Sequence, residues 1–482
     1  MAESGGSLGE KAAKGAAWSG ASSIILRLGS LTVGIILARL LTPEEFGVYA
    51  VALTVQSILM TVADLGLSAD LVRSKEPDRI APTVATLGLI SGGLIAVLTV
   101  AASSSLADLL GSPEAAPAIG VLACTLLLAG VSLVPYSMML RRFQQRELFL
   151  IGVVDFIVST AVTLALVAAG FGVMGLAFGR VAAQTLASIL QFYYARMRPS
   201  FAIDREVVRP VLAFGLPIAT ANLLALGLIN IDNIVLARLA GVTALGYYVI
   251  AFNVSSWPMS ALSQSVRAIS LPYFSRTENS SEGLSRIVAV GWAAALPAGA
   301  VLAVLSAPVI GVLYGDKWLP SAPVLAALGV FGSLRVIFDI FTAFLYAKGL
   351  SKPVLWVQVL WLLTLAAGMV VATGAFGIVG AGWVHVLVAV VIVLPAYLIA
   401  LRHSGLKALS VLRRSWWPTL ATIPASGVAW VTSGVLANPL VQLMVGGCAA
   451  VVVYVLIMWP WAMREWQALR PPAEFSETEG EP

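Results

Sequence analysis

The chain has 482 residues, of which 59% are hydrophobic and 11% are charged. Soluble globular proteins average about 45 to 50% apolar and about 25% charged residues, so this composition excludes an ordinary soluble enzyme. The net charge of +5 comes from 29 Lys and Arg against 24 Asp and Glu. In a membrane protein such an excess lies in cytoplasmic loops and not on a nucleic-acid-binding surface. We therefore expect an all-α integral membrane protein that binds no nucleic acid.

Apolar runs follow one another along nearly the whole chain, separated by charged residues or by Pro and Gly clusters. A transmembrane helix needs about 20 consecutive apolar residues, and the runs have this length. They predict fourteen membrane spans, at residues 19–41, 46–66, 83–104, 116–139, 150–170, 173–195, 211–237, 244–264, 288–313, 322–346, 354–373, 378–401, 416–436 and 440–463.

Lys and Arg concentrate in every second loop, which is typical of the cytoplasmic side of a membrane protein. Only Arg39, Arg238 and Lys317 fall in loops of the opposite side. A count of thirteen spans would break this alternation. The charge pattern therefore supports fourteen spans and predicts that both termini are cytoplasmic.

The sequence contains an internal repeat. Ile35-Ile-Leu-Ala-Arg-Leu40 returns as Ile234-Val-Leu-Ala-Arg-Leu239, and Gly47 matches Gly246 at the same displacement of 199 positions. Six spans separate the two copies. Because six is an even number, the two halves point the same way across the membrane and form parallel repeats.

A second pair of similar segments supports the repeat. Phe171-Gly-Val-Met-Gly175 and Phe376-Gly-Ile-Val-Gly380 precede the sixth and the twelfth predicted spans. The last two predicted spans stand outside the duplication. The predicted organisation is a cytoplasmic N-terminal tail (1–15), a first six-helix half (16–198), a cytoplasmic linker (199–210), a second six-helix half (211–403), helices 13 and 14 (404–463) and a disordered cytoplasmic tail (464–482).

Duplicated membrane halves are the architecture of secondary transporters, in which the substrate lies between the halves and access alternates. Duplication also occurs in membrane proteins that only scaffold. The sequence has no Gly-rich phosphate loop followed by Lys-Ser or Lys-Thr, and its two His and two Cys are not spaced as zinc ligands. We predict a transporter and not an enzyme, with no cofactor and no metal site.

Two segments carry a family resemblance. The segment Ala38-Arg-Leu-Leu-Thr-Pro-Glu-Glu-Phe-Gly-Val-Tyr49 and the loop Arg141-Arg-Phe-Gln-Gln-Arg-Glu147, with the duplicated order of spans, resemble the polysaccharide transporter family. That family belongs to the superfamily of multidrug, oligosaccharidyl-lipid and polysaccharide exporters. The resemblance implies a flippase of polyprenyl-diphosphate-linked oligosaccharide in the bacterial plasma membrane, serving cell-surface polysaccharide biosynthesis. It assigns no individual site residue.

With that function we expect a lipid-linked oligosaccharide substrate, membrane lipids, a polysaccharide polymerase and glycosyltransferases as partners. Two other functions stay open on the sequence. One is an exporter of small amphipathic cations, of the multidrug type. The other is a membrane glycan polymerase or ligase. The charge of the central cavity separates the flippase from the cation exporter, because Arg side chains favour anions and Asp side chains without a cationic partner favour cations.

Ionisable residues within the predicted spans are the candidate substrate-binding groups, because burying such a side chain in a membrane costs roughly 2.5 to 3.5 kcal/mol. Arg27 and Arg335 lie in the inner half of the membrane. Arg180 and His385 occupy equivalent repeat positions in the outer half. A lipid-linked pyrophosphate suits bidentate guanidinium contacts. These four residues are predicted to receive it from one leaflet and release it to the other.

Four buried carboxylates, Asp64, Asp155, Asp232 and Asp339, are the candidate ion-coupling residues. The alternative is that these carboxylates neutralise the arginines, with Arg27 paired to Asp64 or Asp155. Arg335 would then pair with Asp339, four residues later on the same helix face. Asp232 has Asn230 and Asn233 as neighbours, which is compatible with an oxygen-rich cation site or with a solvated helix end.

Overall fold

The structure is a computed structural model that describes residues 29–276, 280–403 and 408–469, and all regular secondary structure in these ranges is helical. The helices are α1 (Gly29–Leu40), α2 (Pro43–Asp64), α3 (Leu67–Arg73), α4 (Pro77–Ala101), α5 (Ser103–Leu109), α6 (Ala116–Arg141), α7 (Gln145–Ala168), α8 (Gly172–Ala195), α9 (Arg205–Ala240), α10 (Val242–Arg276), α11 (Ser280–Val304), α12 (Ser306–Tyr314), α13 (Ala322–Ala347), α14 (Ser351–Val388), α15 (Leu394–His403), α16 (Ala408–Val435), α17 (Pro439–Val441) and α18 (Gly447–Leu469).

Ten helical segments of the described part are long and apolar enough to cross a membrane. One of them, Ser351–Arg402, has 52 residues and contains two of the predicted spans. The prediction of an all-α, multi-pass membrane protein is confirmed. The finer predictions, fourteen spans and cytoplasmic termini, stay predictions.

Two equivalent glycines shape the turns at the second repeated motif. Within α14, Gly377 has φ 60° and ψ −144°, so α14 consists of two helices joined at this residue. Its counterpart Gly172 has φ 49° at the start of α8. Residues with a Cβ rarely adopt these backbone angles. The repeat seen in the sequence therefore corresponds to a shared backbone feature.

The segment that resembles the polysaccharide transporters starts α2 with a capping box. The Thr42 side chain accepts a hydrogen bond from Glu45 N at 3.2 Å, and the Glu45 carboxylate accepts one from Thr42 N at 2.8 Å. Pro43 occupies the first helical turn, where its missing N–H leaves no hydrogen bond unmade. The Thr-Pro-Glu-Glu sequence therefore fixes where this helix begins.

The loop after α6 ties helix ends together through two arginines. Arg141 Nη1 donates to the carbonyl oxygens of Val72 and Ser74, at 2.7 and 2.6 Å. Arg142 Nη1 donates to the carbonyl oxygen of Ala195 at 2.9 Å. The last carbonyls of a helix lack partners within the helix. These arginines therefore provide hydrogen-bond donors for carbonyl oxygens at the ends of α3 and α8.

The repeated glycines Gly47 and Gly246 lie at a close crossing of α2 with α10. A Cβ on Gly47 would collide with the carbonyl oxygen of Val242, and one on Gly246 would collide with the carbonyl oxygen of Pro43. Pro43 and Val242 are themselves 199 residues apart, like the two glycines. The contact is therefore reciprocal between the two copies of the repeat.

The chain divides into two compact units. The first comprises Met1–Ile250 with Ala366–Ala381, and the second comprises Ala251–Leu365 with Gly382–Pro482. In the first unit, an apolar cluster that includes Leu67 and Leu133 joins α3, α4, α6 and α9. In the second, α13 is the central helix, with 17 buried residues of 26. The division into repeat halves at 16–198 and 211–403 stays a prediction.

Candidate functional site

A cavity of about 700 Å³, lined by both polar and apolar side chains, lies in the first unit between α2, α3, α6, α8 and α9. Membrane-spanning helices rarely expose polar side chains without a functional or structural reason, so this cavity is the candidate site. Its polar lining consists of Thr61, Asp64, Ser68, Ser132, Tyr136, Arg180, Gln184, Gln191 and Asn222.

Helix α8 contributes a line of polar side chains to the cavity. Arg180, Gln184 and Gln191 all line it, and their spacing of four and seven residues places them on one helix face. At about 1.5 Å per residue, the line is roughly 16 Å long. Gln191 is 9% exposed, and its Oε1 has no hydrogen-bond partner in the described part of the chain. The helix thus carries polar groups through much of the membrane thickness.

Arg180 forms an ion pair with Asp155. Its Nη1 lies 3.2 Å from Asp155 Oδ2, and the side chains are 35% and 27% exposed. Asp155 lies on α7, so the pair joins the two helices of a hairpin. The partial exposure leaves both groups accessible to a ligand. It also means that the pair contributes little to stability.

A second cavity of about 370 Å³ adjoins the first between α6, α7 and α8. Tyr136, Arg180, Gln184 and Gln191 line both cavities. Asp155 lines the second only. A single row of polar side chains therefore separates the two spaces.

Asp64 lies at the end of α2, where the chain turns into α3. Leu65 and Gly66 adopt left-handed backbone angles, with φ 50° and 72°. Ser68 Oγ, one turn later, donates to Asp64 Oδ2 at 3.0 Å. The turn therefore places a carboxylate and a hydroxyl together at the cavity wall.

The electrostatics of the first cavity are nearly neutral across its described lining. Arg180 is the cation and Asp64 is the carboxylate of that lining. The remaining polar groups are amides, hydroxyls and one phenol. Such groups both donate and accept hydrogen bonds, so the cavity suits a ligand rich in hydroxyl groups.

Arg335 lies in the second unit, on α13. It is the one exposed residue between Val324 and Leu345. Asp339, one turn later, is half-buried. A buried helix that exposes an arginine in its middle presents that charge to an open space, because a guanidinium costs too much to bury alone.

His385 is 2% exposed in the second unit. Its ring packs edge-on against Phe331 with the centroids 5.0 Å apart. Asp232, in the first unit, is 5% exposed, and its Oδ2 accepts a hydrogen bond from Tyr248 Oη at 2.7 Å. Both candidate residues are thus buried within helix packing.

The asparagines beside Asp232 do not converge on it. Asn230 Nδ2 donates to the carbonyl oxygen of Leu226 at 3.0 Å, and Asn233 Nδ2 donates to Thr54 Oγ1 at 3.0 Å. Within the described residues, no group of three or more His, Cys, Asp or Glu could hold a metal ion. Asn230, Asp232 and Asn233 therefore form hydrogen bonds with different groups.

The structure brings three candidate residues together around the adjoining cavities: Asp64, Asp155 and Arg180. Arg27 lies outside the described residues. Gln184 and Gln191 were not predicted as site residues, although their helical spacing from Arg180 is visible in the sequence. A glutamine in a membrane helix indicates a polar cavity as an ionisable residue does.

Known proteins resemble this chain along most of its length. The lipopolysaccharide biosynthesis protein WzxC of Escherichia coli (strain K12) is 29% identical over 356 residues, 71% of each chain. The succinoglycan biosynthesis transport protein ExoT of Rhizobium meliloti (strain 1021) is 26% identical over 327 residues, 67% of this chain and 66% of that protein.

A solved structure and a family model complete the comparison. The lipid II flippase MurJ, in an inward closed conformation, superposes with a TM-score of 0.78 at 14% identity, covering 94% of this chain and 99% of MurJ. This similarity shows a common fold. The family model described as "Polysaccharide biosynthesis protein" matches residues 36–323. Because that match spans more than half of the sequence, the chain belongs to the polysaccharide biosynthesis protein family.

Proposed function

We propose that the chain flips polyprenyl-diphosphate-linked oligosaccharide across the bacterial plasma membrane by alternating access, for cell-surface polysaccharide biosynthesis. The membership of the family and the relatives' roles in polysaccharide biosynthesis support a transporter of this class. The proposal includes fourteen spans, cytoplasmic termini and two parallel six-helix halves. A polysaccharide polymerase and glycosyltransferases would act with it.

The observation that carries the proposal is the polar lining of the first cavity. An oligosaccharide is a neutral chain of hydroxyl groups, and it leaves water only if the site replaces its hydrogen bonds. Gln184, Gln191, Asn222 and Tyr136 supply donors and acceptors along the cavity. Tyr136 is 42% exposed, so its ring is also open to contact with a sugar face.

The pyrophosphate of the substrate needs cations. Arg180 is partly exposed at the junction of the cavities, and Arg335 is exposed on α13. Arg27 and His385 complete the proposed set, and His385, which is buried beside Phe331, would have to become accessible in another state of the transport cycle. A planar guanidinium can hold two phosphate oxygens at once, which favours arginine over lysine for this task.

Coupling to an ion is the second part of the proposal. Asp64 is half-buried and faces the cavity, where a change in its charge would act directly on a ligand. Asp155, Asp232 and Asp339 remain the other coupling candidates. Their charge would change on binding a proton or a metal cation, and this would alter the field in the membrane interior.

The same carboxylate supports a second candidate function, the export of small amphipathic cations. Asp64 would be the counter-charge for such a ligand. The near-neutral lining and its three amide side chains fit an oligosaccharide better. Asp64→Asn would therefore affect the flipping of oligosaccharide if the first function is correct, and the export of cations if the second is correct.

The test is a translocation assay in proteoliposomes with a fluorescent polyprenyl-diphosphate oligosaccharide. We expect the native chain to expose the label on the opposite leaflet in a time-dependent way. Arg27→Ala and Arg335→Ala should slow this exposure at least about tenfold, because each removes a charge-assisted hydrogen bond of about 1.5 to 3 kcal/mol.

The matched control is Arg205→Ala, at the exposed start of α9, which should leave the rate unchanged. Size-exclusion profiles and helical circular dichroism would show that the variants fold. If the native protein moves no oligosaccharide but expels a lipophilic cation, and Asp64→Asn stops that export, the flippase proposal is wrong.

A further inference from the structure

An apolar groove runs between α11, α13, α15 and α16 of the second unit. Its volume is about 400 Å³, inside the range of roughly 300 to 1,000 Å³ of small-molecule sites. Phe338 and Phe341 are buried along its base, and Trp416 forms an outer wall with 54% of its surface exposed. None of the described side chains that line the groove is charged.

The few polar atoms in the groove already have partners. Ser415 Oγ donates to the carbonyl oxygen of Val411 at 2.9 Å. Thr419 Oγ1 donates to the carbonyl oxygen of Ser415 and accepts from Trp292 Nε1, both at 2.9 Å. The groove therefore offers a surface that favours hydrocarbon over water.

Basic residues meet at one end of this groove. Arg286 precedes the lining residue Val288 by two positions, and Arg414 directly precedes Ser415. Glu282 Oε1 lies 3.3 Å from Arg286 Nη2 and 3.8 Å from Arg414 Nη1. One carboxylate thus contacts two guanidiniums at the same place.

Two further arginines enlarge the positive charge. Arg413 is exposed beside Arg414, and Arg402 is exposed one helical turn after the lining residue Leu398. These arginines lie at the start of α11, the end of α15 and the start of α16. The sequence assigns these ends to the basic, cytoplasmic side of the membrane.

Tryptophans mark the depth of this end in the bilayer. Trp416 and Trp417 are 54% and 37% exposed, and their rings pack edge-on with centroids 5.4 Å apart. Exposed tryptophans collect where headgroups meet hydrocarbon. The arginines therefore lie at headgroup level, and the apolar groove extends from them into the hydrocarbon.

We propose that this groove is a binding site for an anionic phospholipid, with an acyl chain in the groove and the phosphate at Arg286, Arg413 and Arg414. Charge complementarity selects the occupant, because basic clusters between membrane helices at the cytoplasmic face bind anionic headgroups. A phospholipid stays in one leaflet. The arginines are fixed at one membrane side, so they suit such a resident lipid better than a substrate that must cross.

The bound lipid has a structural role in this proposal. Helix α16 precedes α18 at the C-terminal end of the chain, and the groove lies between α16 and the buried helix α13. An acyl chain packed in the groove would fill the space between α13 and α16. Anything that binds only the folded protein stabilises it, so the lipid would raise the unfolding temperature.

The probe is phosphatidylglycerol brominated on its acyl chains, added at increasing fractions to phosphatidylcholine nanodiscs that hold the full chain. Bromine quenches nearby tryptophans. We expect a saturable component of quenching at a low fraction of the probe, and Trp416→Phe should remove a large part of it. Arg413→Ala with Arg414→Ala should shift half-saturation at least about tenfold, as expected for lost charge-assisted hydrogen bonds.

Arg209→Ala is the matched control, an exposed arginine at the start of α9, and should leave half-saturation unchanged. Arg413→Ala alone, a change at an exposed position, should give a smaller shift if the double variant does not fold. Ser415→Phe should block the groove while keeping every arginine.

Three results would overturn the proposal. Equal half-saturation with brominated phosphatidylcholine would show that charge is not recognised. Unchanged quenching in the arginine and Ser415→Phe variants would place the lipid elsewhere. Displacement of the probe by an equimolar polyprenyl phosphate would assign the groove to the substrate's chain. None of these results depends on whether the protein flips oligosaccharide.

Discussion

Arg180 of α8 and Asp155 of α7 form a 3.2 Å ion pair where two membrane cavities adjoin. Both side chains are partly exposed, so a phosphate in either cavity can compete with Asp155 for the guanidinium. An ion pair of this kind holds the cation in place without closing it off. The pair thus makes Arg180 a testable candidate for contact with the proposed substrate.

We expect Arg180→Gln to reduce the initial rate of oligosaccharide flipping about tenfold or more, because a neutral side chain loses a charge-assisted hydrogen bond of about 1.5 to 3 kcal/mol. In the absence of an ion gradient, where coupling plays no part, Asp155→Asn keeps the cation and should retain at least about half the rate. The proteoliposome assay measures both. Equal losses in the two variants would show that the pair is needed only to hold α7 against α8.

Gln191→Leu should slow the flipping of a substrate with several sugars by about two- to tenfold, since a neutral hydrogen bond contributes about 0.5 to 1.5 kcal/mol. A substrate with a single sugar should be affected less. The control is Thr185→Val on the same helix, where the exposed hydroxyl donates to the Val181 carbonyl oxygen. A control variant as slow as Gln191→Leu would contradict this assignment.

Gly47→Ala and Gly246→Ala should each lower the unfolding temperature in detergent. The new methyl group meets a backbone carbonyl, which no side-chain rotation can relieve, and overpacking costs about 1 to 3 kcal/mol. Gly120→Ala is the control, because no atom of the described residues lies within 4 Å of a Cβ there. Unchanged unfolding temperatures in both variants would mean that the helix crossing is looser than described.

Gly377→Ala tests the break inside α14. The cost should be about 1 to 3 kcal/mol from the backbone angles alone, as no atom in the described ranges of the chain lies within 4 Å of a Cβ at this position. Gly374→Ala, three residues earlier in the same open surroundings, should be neutral or stabilising by up to about 1 kcal/mol. Thermal unfolding of the two variants side by side measures the difference, and equal stability would contradict the left-handed conformation.

Thr42→Ala should destabilise the protein by about 0.5 to 2 kcal/mol, the usual cost of losing a helix N-cap. Glu45→Gln should have almost no effect, because glutamine also completes a capping box. Chemical unfolding followed by circular dichroism measures both. Should Glu45→Gln prove as damaging as Thr42→Ala, the glutamate's charge and not its hydrogen bond would be the important feature.

The helices were largely predictable and the contacts were not. Predicted spans 150–170 and 173–195 correspond to α7 and α8 within a few residues, because hydrophobic length sets them. Short helices such as α3 and α5 were missed, since seven residues cannot form a span. The sequence analysis considered Arg27 as a partner for Asp155. The structure pairs Asp155 with Arg180, which depends on how the α7–α8 hairpin packs.

The repeat shows the same limit at single residues. Sequence identity placed Gly47 and Gly246 in equivalent positions, but identity does not say that equivalent positions touch. The Thr-Pro-Glu-Glu segment carried only a family resemblance, although the spacing of Thr42 and Glu45 is that of a capping box. The spacing of Gln184 and Gln191 from Arg180 was likewise visible and was missed.

If the two repeats were separate copies of one chain, the reciprocal contact of Gly47 and Gly246 would be an isologous dimer interface. Joining the two repeats in one chain keeps that contact while allowing their sequences to diverge. Helix α2 starts with the capping box of Thr42, whereas the equivalent position before α10 is Gly241, with φ 86°. A single chain can therefore give its two repeats different structures, as the proposed substrate with a sugar at one end and a lipid at the other would require, which a symmetric dimer cannot do.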